Sequence, residues 1–157
     1  MRLKLFLFAL GTVVAFSTRA LAADSEVKGT FVGNGKPAAL AFVSASKGSA
    51  LADKETEVLV FTEKDHSKEK RPDIKAGFGD FGSALIITIY PDNGKIVGCE
   101  VSHAAHEQKP FSSIGSLEMT NFKNENGQLS GKIATTGKVE TFKQTWEVDL
   151  IFRVKAP

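Results

Sequence analysis

The sequence predicts an all-β protein, an antiparallel two-sheet β-sandwich of about nine strands and immunoglobulin-like size. Three observations predict it. Short segments alternating apolar and polar residues recur along the chain, separated by glycine and asparagine turns. No stretch keeps a helical period over ten residues. The alternation is mostly one-sided, so most strands have one dry face and one wet face. A single flat sheet would leave its dry face in water. The dry faces must therefore pack on a second sheet or close on themselves, and a closed antiparallel β-barrel is the alternative architecture. One cysteine and one tryptophan exclude the Cys…Trp…Cys pattern of a true immunoglobulin domain.

The strands follow in chain order. Val27 to Val32 is the first. Asn34-Gly35 follows it, a pair suited to a tight hairpin because both residues tolerate positive φ. Ala38 to Ala45 is the second strand, with Leu40 and Phe42 on one face, and Glu57 to Thr62 (EVLVFT) is the third. Ala84 to Tyr90 (ALIITIY) is apolar on both faces and rich in β-branched residues, which marks a central strand. Asp92-Asn93-Gly94 turns the chain into Lys95 to His103. Ser116 to Phe122 directs Leu117 and Met119 inward. Asn124 to Gly127 then turns into Gln128 to Thr135, with Leu129 and Ile133 in. Val139 to Phe142 is short. Thr145 to Val154 is long, with Trp146, Val148, Leu150, Phe152 and Val154 on one face.

Two segments break this rhythm. Glu63 to Asp73 (EKDHSKEKRPD) is nearly all charged, with mixed signs that read as a solvated surface. Ala76 to Gly82 (AGFGDFG) is rich in glycine and phenylalanine. Together they join two strands by a connection far beyond the usual 4–6 or so residues, a length that often carries function or an edge strand. Phe78, Phe81 and Phe111, all in loops, read as lids over the ends of the sandwich.

The N-terminus reads as a Sec-type signal peptide over residues 1–22. Arg2 and Lys4 precede the apolar run Leu5 to Phe16, and Ala20-Leu21-Ala22 supplies a small-x-small cleavage site. No cysteine at that site marks a lipoprotein. Residues 23–157 are then a single β-domain of the periplasm or the extracellular space, with no membrane insertion after cleavage. The full chain carries 20 Lys+Arg and 18 Asp+Glu. The leader takes Arg2, Lys4 and Arg19 and no acid, which leaves 17 bases against 18 acids, a net of −1. That balance excludes a generic nucleic-acid binder. Cys99 has no partner for an internal disulfide.

Candidate chemistry concentrates in GCEVSHAAHEQ, residues 98–108. Thiolate and imidazole suit copper or zinc. On a straight strand Val97, Cys99, Val101 and His103 share one apolar face, with Cys99 and His103 about 13 Å apart. Zinc–ligand bonds of about 2.0–2.3 Å do not span that gap. Cys99 thus reads as a small buried hydrophobe. His103 and His106 sit where the strand ends and can face one site, with Glu107 adjacent and His66 brought in from the charged loop. The bland alternative is two solvated histidines on a polar loop. GNGK (33–36) lacks the rest of a phosphate loop, DFG (80–82) lacks every accompanying kinase motif, and no serine sits in a nucleophile elbow.

The functional expectation is a secreted or periplasmic non-catalytic β-domain that binds a protein or a small ligand through its loops, without a cofactor. Its natural surface is Glu63 to Gly82 plus His103 to Ser113. The alternative is an extracytoplasmic copper- or zinc-binding protein using His103, His106 and His66.

Overall fold

The computed structural model describes residues 25–157, so the expected leader over residues 1–22 and its expected cleavage site lie outside the described residues. Two antiparallel sheets face each other, and neither closes into a barrel. Sheet I contains β1 (Glu26–Gly33), β2 (Lys36–Ala38), β8 (Leu117–Glu125), β9 (Gln128–Thr135), β10 (Val139–Thr141) and β11 (Gln144–Lys155). Its order is β2-β1-β11-β9-β8, with β10 beside the start of β11. Sheet II runs β3-β4-β5-β6-β7 in chain order: β3 (Phe42–Lys47), β4 (Glu57–Thr62), β5 (Ala84–Ile89), β6 (Ile96–Ser102) and β7 (Phe111–Ser112).

Alternation decides most of this. In β11 Trp146, Val148, Leu150, Phe152 and Val154 all point between the sheets, and in β9 Leu129 and Ile133 join them. Trp146 is 1% exposed. Each such side chain contributes roughly 1.5–3 kcal/mol by leaving water. The Asn-Gly pairs make the predicted turns. Asn34 (φ 48°) and Gly35 (φ 73°) join β1 to β2, and Asn126 (φ 53°) and Gly127 (φ 72°) join β8 to β9.

Three features differ from the sequence reading. The segment Ala38 to Ala45 is not one strand. β2 ends in sheet I, the chain crosses to sheet II, and β3 begins at Phe42. Leu40 stays buried in the crossing, but the phase resets there, so Val43 points inward and Phe42 is 39% exposed. In β6 a bulge leaves Val97 without a cross-strand partner, because Thr88 pairs Gly98 and Ile89 pairs Ile96. Ile96 packs on the core and Val97 does not share the face of Cys99. The split strand and the short β7 raise the number of strands among the described residues to eleven.

The long connection holds a short helix, α1 (Pro72–Gly77). Pro72 pre-sets the first turn, Asp73 suits the helix start, and Gly79 (φ 85°) follows the end. Ala76, fully buried, faces sheet II. It packs with Val60, Ala84 and Ile86, while Val58 and Phe81 close the cluster. The connection is thus a roof over the outer face of sheet II. That explains why β5 is apolar on both sides. Leu85, Ile87 and Ile89 face the inter-sheet core, and Ala84 and Ile86 face the roof.

Candidate functional site

His66 lies in the roof, on the outer face of sheet II. The Thr62 hydroxyl donates to the Lys64 carbonyl (2.7 Å), so it accepts from His66 Nδ1–H (2.6 Å). His66 Nε2 is then left to accept from the Ser44 hydroxyl (2.7 Å). Both ring nitrogens are occupied and the ring is 3% exposed. Burial holds its pKa below the usual histidine value against the opposing pull of the Lys64 carbonyl and Asp65.

His103 and His106 lie on the opposite side of the same sheet, at the end of the inter-sheet space. They are 2% and 4% exposed rather than solvated. Their rings lie 5.2 Å apart in an aromatic row that runs Phe31, His103, His106, Phe111, Phe142. Gly33 makes room for them, since a Cβ there would stand 2.5 Å from His103 Nδ1 and 2.8 Å from His106 Nε2. The turn is clamped to its neighbours. Asn34 donates to the Ala105 carbonyl and accepts from Thr145 N–H, while Gln144 bridges the backbones of Glu107 and Gln108.

The bonds set the tautomers. His106 Nε2–H donates to the Thr145 carbonyl (3.0 Å), which leaves a lone pair on Nδ1. His103 Nδ1 accepts from Ala105 N–H (3.0 Å), so the neutral ring carries its proton on Nε2. Among the described residues neither His103 Nε2 nor His106 Nδ1 has a hydrogen-bond partner. Burial and the neighbouring His106 hold His103 below its usual pKa against the opposing pull of Glu63 and of the Lys36 carbonyl, which lies near the ring without meeting hydrogen-bond geometry. The structure therefore brings His103 and His106 together and puts His66 across the sheet. Among the described residues no three His, Cys, Asp or Glu side chains form a group able to hold a metal ion.

Cys99 is 2% exposed and points into the inter-sheet core beside Val101. Burial, with a smaller contribution from Glu100, pushes its thiol up to about 12. A thiol so held is unreactive at neutral pH. Of the three phenylalanines expected in loops, Phe111 instead lies in β7, paired with Val101 and buried in the inter-sheet core, Phe81 packs against the cluster under the roof, and Phe78 is 75% exposed.

A different feature offers space for a ligand. The roof does not reach the far end of sheet II, and a groove of about 630 Å³ lies there. Its floor is one cross-strand row, Ser46, Val58, Thr88 and Gly98, paired in register across β3, β4, β5 and β6. The β3–β4 loop, Gly48 to Leu51, forms one wall. Lys70, Arg71 and Asp73 at the start of α1 form the other. No motif marks these residues, because they come together only through strand register. The loops expected to carry recognition do adjoin. Ala104 N–H donates to the Ser83 hydroxyl (3.1 Å), and a Cβ on Gly77 would meet Pro110 at 3.5 Å.

Compared with known protein families, with curated proteins and with solved structures, the chain matches none.

Proposed function

We propose that this protein is a non-catalytic, extracytoplasmic β-domain that binds a protein or a small ligand through its loops. The observation that carries this reading is the groove between the long connection and the β3–β4 loop, whose volume of about 630 Å³ lies within the range of small-ligand sites. Extracytoplasmic location rests on the signal-like residues 1–22. The test is a fragment screen read by amide chemical shifts. Hits should move the amides of Ser46 to Leu51, Lys70 to Asp73 and Thr88. Hits that cluster only on the outer face of sheet I end the reading. So does enzymatic turnover abolished by a single loop substitution.

A second reading places copper or zinc at His103 and His106. It is favoured by the two buried ring nitrogens without partners, His103 Nε2 and His106 Nδ1. The His106 lone pair is ready to coordinate. His103 would first lose its Nε2 proton and its bond from Ala105. His66 does not serve the same ion, since Thr62 and Ser44 occupy both its ring nitrogens on the other side of the sheet. Titration of untagged protein with each metal decides it. Equal binding by wild type and His103→Ala/His106→Ala, or no binding by either, removes this reading.

A further inference from the structure

We propose that the groove on sheet II selects a small organic oxyanion, a carboxylate, sulfate or phosphate group carried on a compact hydrophilic body. This rests on the reading above that the groove is the binding site, and adds the class of ligand. The argument is an inventory of hydrogen-bond donors and acceptors. Among the described residues Asp73 is the only carboxylate lining the groove, and the Arg71 fork already holds it through Nε (3.2 Å) and Nη2 (2.9 Å). The Thr56 hydroxyl donates to the Ser49 carbonyl (2.7 Å).

Hydrogens therefore remain on Arg71 Nη1, on the ammonium groups of Lys47 and Lys70, and on the hydroxyls of Ser46, Ser49 and Thr88. Among the described residues neither lysine has a carboxylate within 4.0 Å. Glu57, the cross-strand partner of Lys47, shares that lysine's field but does not line the groove. Lys70 and Arg71 are thus the main anchors. The lining has donors in surplus, which suits a ligand rich in acceptors and carrying negative charge.

The floor sets the size of the ligand. Ser46, Thr88 and Gly98 are small, and Val58 and Val97 offer a narrow apolar strip. A Cβ on Gly98 would meet the Thr88 Cβ and Oγ1 at 3.1 Å, so a larger residue there presses on Thr88 and takes up part of the floor. A bare ion would leave most of the volume to water. A body the size of one sugar ring uses the floor and the charged wall together.

The experiment uses four probes with one common body: glucose, glucuronate, glucose 6-sulfate and glucose 6-phosphate. Each is titrated into the protein at low salt and followed by calorimetry and amide shifts. At least one anion should bind saturably, about tenfold or more tighter than glucose, and shift the amides of Ser46, Lys70, Thr88 and Gly98. Comparing the three anions identifies the preferred group. Lys70→Glu and Gly98→Val should each weaken it about tenfold. Raising salt should weaken it too. Lys28→Glu, on the outer face of sheet I, should change nothing. Glucose binding as tightly at the same amides overturns the anion class and leaves the binding site standing. Equal loss in Lys28→Glu and Lys70→Glu overturns the site. No shift with any probe overturns the inference, while the fragment screen decides the binding reading by itself.

Discussion

The outer faces of the two sheets are built from the same strand chemistry and meet opposite fates. On sheet I the outer face is bare among the described residues. Lys132 pairs with Asp149 and Arg153 with Glu26, all in solvent, and Ile151 among them is 62% exposed. On sheet II the outer face carries Val60, Ala84 and Ile86, at most 5% exposed, beneath the roof that begins at Glu63. The difference is written in the burial along single strands. β11 alternates buried residues with half-buried or exposed ones to its end, whereas β4 is buried at four consecutive residues, Leu59 to Thr62, and β5 at four, Ala84 to Ile87. A strand that is apolar on both sides needs two covers. The second sheet supplies one and the long connection the other. Where that connection stops short, the outer face of sheet II becomes a groove rather than a flat surface.

Substitutions test the contrast, from the shared core outward. Trp146→Ala should cost most, roughly 3–5 kcal/mol in urea unfolding, because it opens the core that both sheets share. A native fluorescence maximum like that of free tryptophan in water would contradict its burial. Ile86→Ala should follow, at roughly 2–5 kcal/mol. The low end is expected, since a roof of loop and one short helix can settle into the space more easily than a sheet. A cost within about 0.5 kcal/mol would mean the roof is not seated in solution.

Acid should come next, through the buried histidines. His66 and His103 both titrate below the ordinary 6.5 in the folded protein. The unfolded chain takes up these protons first. The stability at stake is present above about pH 6.5 and is lost as pH falls from there towards the folded values. Urea midpoints at about pH 7.5 and about pH 5.5 measure the loss. His66→Gln should reduce it, because one of the two buried rings is gone. An unchanged loss would show that protonation beneath the roof carries none of the effect. The smallest effects belong to the bare face. Ile151→Ala should stay within about 0.5 kcal/mol, and Lys132→Ala within about 1 kcal/mol, because surface ion pairs are screened by solvent. A larger loss from either would mean that something covers sheet I.

The sequence by itself determined the class of fold, most strand positions and the inward faces of β9 and β11. These depend on a period of two, and a period is a local property. It also placed Cys99 in the core and the Asn-Gly turns at 34–35 and 126–127, since positive φ is a demand on single residues. Tertiary structure alone decided the rest. The bulge at Val97 and the crossing between β2 and β3 reset the phase of alternation, and the pressure to do so comes from neighbouring strands. The histidines show the same limit. His66 and His103 follow strand ends that are two strands apart, since Thr62 pairs Ala84 and Ala84 pairs Ser102, yet they occupy opposite faces of the sheet. Which face a loop returns to is set by what it must cover, and the charged connection covers the apolar outer side of β4 and β5. The groove is the least legible feature, because Ser46, Val58, Thr88 and Gly98 become neighbours only through the register of four strands.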